Sequence, residues 1–138
     1  MREIVIGGAQ MGPIQKADSR EAVVDRMIAL LDSAAEAGCH LTVFPELALT
    51  TFFPRWMIEE PAELAHWYET EMPSAATRPL FDRARAHGIA ISFGYAEATS
   101  DGRHFNTSIL TDRTGTIIGK YRKVPLHAPS DYDPARAY

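Results

Sequence analysis

From Val23 to Ala35, apolar side chains fall at Val23, Val24, Met27, Ile28, Leu30, Leu31, Ala34 and Ala35. That is the spacing of a helix with one buried face. Ile4, Val5 and Ile6 precede it, in a short buried strand expected over residues 3–9, and Leu41 to Phe44 follow it as a second strand halted by Pro45. Strand, helix and strand in this order fold as a right-handed crossover between parallel strands, which sets the class as α/β. Asp18 with Glu21 forms a candidate capping box, Ser19 is the competing N-cap, and Gly38 supplies the C-terminal stop.

Aromatic residues and prolines dominate from Ala48 to Pro73, so that stretch reads as loop, with one short helix between Glu60 and Thr70. A second helix is expected from Ser74 to His87, burying Leu80, Phe81 and Ala84 and ending at Gly88. Strands follow at Ile89–Tyr95, Phe105–Thr111 and Thr116–Lys123, separated by turns at Ser100-Asp101-Gly102 and Asp112–Gly115. Short turns between successive strands pair them antiparallel. From Pro125 on, the chain reads as loop.

One domain accounts for 138 residues, of which 46% are hydrophobic. The net charge of -4 comes without a Lys/Arg block, which argues against a nucleic-acid partner. No apolar run approaches the roughly 18 residues of a membrane span, and the N-terminus lacks a secretory pattern. A single cysteine, Cys39, excludes an internal disulfide framework and suits a reducing cytoplasm. His40, His66, His87, His104 and His127 show no metal-ligand spacing, and Gly7-Gly8 is not a phosphate-binding fingerprint. The expectation is therefore no metal and no cofactor.

Two positions carry chemistry. Glu46 follows Pro45 at the C-terminal end of a hydrophobic strand, the edge where ligand sites collect in open α/β sheets. Apolar walls there would desolvate its charged form and raise its pKa, which suits a general base. The alternative is an exposed or ion-paired glutamate at a strand end. Lys123 closes the last strand, and alternation places it with Tyr121 on one face, Lys120 and Arg122 lying on the other, solvated face. An inward ammonium would stabilise an oxyanion, whereas an outward one would only guard a strand edge. Cys39, between a helix C-terminus and a strand, reads as a small buried hydrophobe rather than a nucleophile.

Val43 to Glu46 resembles the glutamate motif of the nitrilase superfamily of carbon-nitrogen hydrolases, and Gly119 to Lys123 resembles its lysine motif. Asp112 to Lys123 as a whole is a turn-and-strand pattern typical of that family. Phe44 to Trp56, Tyr68 to Pro73 and Arg103 to Leu110 are similar to the N-carbamoyl-D-amino-acid hydrolase branch. The resemblance implies part of an α-β-β-α sandwich, a mixed sheet flanked by helices, with a Glu-Lys-Cys triad and no metal. It implies hydrolysis of an N-carbamoyl-D-amino acid to the D-amino acid, ammonia and carbon dioxide. A cysteine thiolate attacks the ureido carbon, Glu46 takes the thiol proton and passes it to departing ammonia, and Lys123 helps hold the oxyanion. Water then cleaves the thioester. A homo-oligomer is implied for the full-length family.

The chain departs from the family pattern in three ways. The family's cysteine lies well beyond the lysine motif, while this chain's last residue is Tyr138 and its cysteine precedes Glu46. The expectation is thus an N-terminal portion of the domain, over 1–138, without turnover of its own. Pro125 stands where the branch has a histidine, with His127 nearby, and the arginines for the substrate carboxylate follow the cysteine. A different class also fits: a non-catalytic half-domain, with an open sheet face and strand edge, that assembles with a partner. A third option is another nitrilase-superfamily amidase.

Overall fold

The computed structural model describes residues 3–124, so Pro125 and His127 lie outside the described residues. A single five-stranded sheet runs in chain order, β1 (Ile6–Gly8), β2 (Leu41–Val43), β3 (Ala90–Ala98), β4 (His104–Thr111) and β5 (Ile117–Arg122). The first three strands are parallel, and β3, β4 and β5 form an antiparallel meander, as the turn spacing predicts. Two helices bridge the parallel strands, α1 (Arg20–Glu36) and α3 (Arg78–His87), and a short α2 spans Pro61–Ala65. Both crossovers step across the sheet in the same direction. Crossovers of one hand then place both helices on one face and leave the other open.

Local chemistry sets the boundaries. Ser19, not Asp18, caps α1, its hydroxyl accepting from the Ala22 N–H at 3.2 Å. Asp18 instead accepts from the Gln15 N–H and pairs with Arg26 at 2.7 Å. Gly38 and Gly88 adopt positive φ just past the two long helices, as helix-ending glycines do. α3 starts at Arg78 rather than Ser74, because Ser74 and Thr77 form a turn in which the Ser74 N–H donates to the Thr77 hydroxyl at 2.8 Å. β1 is shorter than expected.

The core lies between helices and sheet. Val23, Val24, Met27 and Leu31 of α1 and Leu80, Phe81 and Ala84 of α3 pack on Ile91, Phe93, Tyr95 and Ile109. Arg83 of α3 binds both oxygens of Asp32 of α1, at 2.6 and 2.8 Å, and His87 reaches the same carboxylate. A second cluster joins Leu47, Phe53, Trp67 and Ala96.

Ile4, Val5 and Ile6 do not form the buried strand expected of them: they are 63%, 38% and 59% exposed. β1 is an edge strand, and Ile6 shares its outward side with Val43, Leu110 and Tyr121, all of them exposed. An apolar run of strand length fits burial on both faces, but here only one face has a cover.

The face beneath the helices carries a second departure. Lys120 and Arg122 are not simply solvated, since both bind the nearly buried carboxylate of Glu97, at 2.5 and 2.9 Å, where Thr107 also donates at 2.7 Å. Burial pushes the Glu97 carboxyl up, but the hydrogen bonds from Arg122, Lys120 and Thr107 outweigh it and hold the pKa at about 2. A lowered native pKa stabilises the fold above the ordinary value of 4.5, and that contribution fades as pH falls toward about 2. Arg122→Met removes half of the clamp. The variant is expected to be less stable at pH 7, by an amount tempered by the partial exposure of both cations. Urea melts from pH 7 to pH 3 check it: the variant is the less stable protein at pH 7, and its deficit shrinks as pH falls below 4.5 toward about 2, where the parent loses the contribution of the clamp.

Candidate active site

Glu46 and Lys123 meet on the open face. β2 ends at Val43, and the chain continues over the edge of β3, with the Phe44 N–H donating to Ser92 O and the Gly94 N–H to Pro45 O. β5 ends at Arg122, and the Lys123 N–H donates to the Asn106 carbonyl at 2.8 Å, so the strand pairing extends one residue further. Strand alternation then sends Tyr121 and Lys123 to the open face and Lys120 and Arg122 to the helix face, as the sequence predicts. Lys123 Nζ donates to Glu46 Oε1 at 2.8 Å.

An open depression of about 510 Å³ surrounds the pair, with Val43, Ser92, Gly94, Asn106 and Tyr121 among its walls. The side chains of Lys123 and Glu46 are 53% and 48% exposed. The expectation of a raised Glu46 pKa does not hold, for the hydrogen bond from Lys123 lowers it, with a further donation from Asn106, against the opposing effect of burial. Desolvation loses because the open face leaves this carboxylate half in water and an ammonium sits against it. Glu46 is therefore anionic at neutral pH. It accepts a proton readily only when a substrate or a covering segment changes that balance.

The turn that presents Glu46 is fixed from three sides. Leu47 takes φ 49°, rare for a side chain with a Cβ, and is only 3% exposed. The Ala48 N–H donates to Gly94 O at 2.8 Å, and the Arg20 guanidinium donates to Leu49 O while pairing with Glu69 at 2.6 Å. Beneath the turn lies Gly94, where an added Cβ would stand 2.9 Å from Glu46 Cα and 3.0 Å from Leu47 N. Only hydrogen fits there.

Two neighbours escape sequence reasoning: Gly94, within a strand, and Asn106, whose carboxamide reaches Glu46. A glycine and an asparagine in strand interiors are both depleted there, and that is the signal available in the sequence. Cys39 sits apart. It precedes β2, whereas Glu46 follows it, and seven residues of near-extended chain put about 20 Å between them. Its Sγ lies 3.0 Å from where a Cβ on Gly7 would stand, near Ala34, at the opposite end of the parallel strands. It is partly buried rather than fully so.

The arrangement provides a proton acceptor, an adjacent cation and a concave apolar floor, which serve acyl-transfer chemistry on a neutral carbonyl or similar carbon. An ammonium on the carboxylate makes a poor cation site, since it already supplies the positive charge a metal would bring. No helix among the described residues is long and apolar enough to cross a membrane.

Residues 6–138 match the family model described as Carbon-nitrogen hydrolase. Nitrilase 3 from an unknown prokaryotic organism is 28% identical over 137 residues, covering 92% of this chain and 40% of that protein. An aliphatic nitrilase of Rhodococcus rhodochrous is 30% identical over 112 residues, covering 75% of this chain and 30% of the relative. A carbon-nitrogen hydrolase from Helicobacter pylori G27 shares the fold with a TM-score of 0.71 at 20% identity, over 90% of this chain and 40% of that one. The chain thus spans less than half the length of each of these proteins.

Proposed function

We propose a function from one premise: the chain belongs to the carbon-nitrogen hydrolase family. Glu46 and Lys123 are two members of a Glu-Lys-Cys triad that hydrolyses C–N bonds other than peptide bonds. The observation that carries this reading is the 2.8 Å contact between Lys123 Nζ and Glu46 Oε1 at the C-terminal end of the parallel strands, on an open concave face.

In the mechanism, a cysteine thiol approaching the pair gives its proton to Glu46, and the thiolate attacks the substrate carbon. The developing oxyanion lies against the Lys123 ammonium, a fixed charge that strengthens in the transition state. Collapse of the tetrahedral intermediate breaks the C–N bond, and Glu46 returns its proton to the departing ammonia. Glu46 then takes a proton from water as its oxygen attacks the acyl carbon, and the cysteine leaves as thiolate and is reprotonated. Cys39 stands about 20 Å away by chain geometry, so another cysteine is the nucleophile.

The substrate proposed is an N-carbamoyl-D-amino acid, on the strength of the Phe44 to Trp56 stretch. A nitrile is the second reading, favoured by the two nitrilases that the chain resembles. A substrate panel on the chain continued through the rest of a carbon-nitrogen hydrolase domain (the extended enzyme) separates them. D-amino acid with carbon dioxide from N-carbamoyl-D-phenylglycine supports the first, and carboxylic acid from a nitrile alone supports the second. The 138-residue chain by itself is expected to release no ammonia from N-carbamoyl-D-phenylglycine, in the parent or in Cys39→Ala. Turnover that disappears with Cys39→Ala would assign the nucleophile to Cys39 instead.

A further inference from the structure

Asn106 sits in the middle of β4 and is 7% exposed, so its carboxamide is nearly withdrawn from water. Its Nδ2 donates to Glu46 Oε1 at 2.5 Å, the same oxygen that Lys123 binds at 2.8 Å. Its own carbonyl accepts the Lys123 N–H at 2.8 Å. One residue therefore touches both members of the pair, holding one through its side chain and the other through its backbone.

We infer that Asn106 is a positioning residue that assigns different tasks to the two oxygens of Glu46. This inference rests on the proposed role of Glu46. Two donors converge on Oε1, while among the described residues no hydrogen bond reaches Oε2. A carboxylate anchored at one oxygen cannot rotate freely about its terminal bond, and the other oxygen is left as the proton acceptor facing the depression. Lys123 alone could not do this, because an ammonium on a flexible four-carbon stem follows a rotating carboxylate. The Asn106 amide is fixed by its strand. The pairing also places the Lys123 backbone, because Asn106 and Lys123 are joined across β4 and β5.

The test is a side-chain carboxyl NMR titration of the 138-residue chain, with Glu46→Gln identifying the Glu46 signal. The charged groups facing Glu46 in the depression are Lys123 and, when ionised, Tyr121. Asn106→Ala removes the donor, and Asn106→Leu removes it while keeping the side chain's outline, in case the smaller residue disturbs folding. The Glu46 midpoint is expected to rise in these variants, and to rise further in Lys123→Met, since the lysine is the stronger influence. The Glu97 midpoint is the control, because its partner Thr107 is the next residue along β4. A rise at Glu46 with Glu97 unmoved supports the inference. No change at Glu46 overturns it, as does a joint shift of both carboxyls, which would mean that Asn106 only supports the strand. The underlying reading fails separately, if the extended enzyme keeps its activity in Glu46→Gln, an outcome these titrations do not affect.

Discussion

Lys123→Met lowers kcat of the extended enzyme by about 100- to 1,000-fold, the usual loss when a donor aimed at a developing oxyanion is removed. The loss has two parts. The ammonium at 2.8 Å from Glu46 no longer faces the tetrahedral intermediate, and the carboxylate loses its strongest stabilising hydrogen bond. Glu46 then has a raised pKa, so the acid limb of the kcat/KM profile moves to higher pH. The sign follows because an opposite charge favours the ionised carboxylate, and removing it restores the proton. Lys123→Arg keeps the charge but brings a planar fork where a point charge fits, and recovers only part of the rate. A steady-state pH profile of the three proteins is the check. KM is expected to change less than kcat, because the lysine's contribution grows in the transition state.

Gly94→Val has the second large effect, although Gly94 holds no chemistry. The added Cβ would lie 2.9 Å from Glu46 Cα and 3.0 Å from Leu47 N, both backbone atoms that no rotamer change can move aside. The turn must therefore lift, breaking the Gly94 N–H to Pro45 O and Ala48 N–H to Gly94 O bonds on either side. Leu47, already at φ 49°, has little room to adjust. A displacement of about 1 Å in a catalytic group costs on the order of 100-fold in rate. Overpacking adds about 1–3 kcal/mol of destabilisation. Gly94→Ala shows the same direction at smaller size. Activity and urea midpoints together check this, and an unchanged rate in Gly94→Val would mean that the Glu46 turn does not bear on the substrate.

Much of this framework is legible in the residues themselves. The periodicity from Val23 to Ala35, closed by Gly38, forces a helix between two strands, and strand parity alone separates Lys123 from Lys120. The turns at Gly102 and Gly115 carry positive φ as the spacing requires. The unread parts depend on which surfaces have a cover. Ile4, Val5 and Ile6 read as buried because a periodic pattern cannot tell a covered face from an open one. The same blindness gives Glu46 a raised pKa from sequence, since nothing local shows that water and Lys123 stand where a strand end suggests apolar walls. Lys120 and Arg122 read as solvated because Glu97, 23 and 25 residues earlier, gives no local sign that it lies beneath them. Asn106 and Gly94 act through contacts across the sheet, 60 residues from Glu46 in the first case, and only the β3, β4 and β5 register brings them into place.

The half-domain alternative makes a different demand on the same surface. Ile6, Val43, Leu110 and Tyr121 form an exposed apolar strip on the sheet face that carries the pair. A purely structural partner would cover this strip and ignore the charges. A catalytic arrangement keeps Glu46 and Lys123 within reach of a substrate.

Ammonia release by the extended enzyme carrying Glu46→Gln separates these two accounts most directly. Glutamine keeps the shape and can still hydrogen-bond, but it cannot take up the thiol proton. The catalytic account predicts a fall in kcat of about 100- to 10,000-fold, the range supplied by a positioned general base, with the folded spectrum unchanged. A Glu46→Gln enzyme releasing ammonia within about tenfold of the parent rate, below the range a general base supplies, would contradict it.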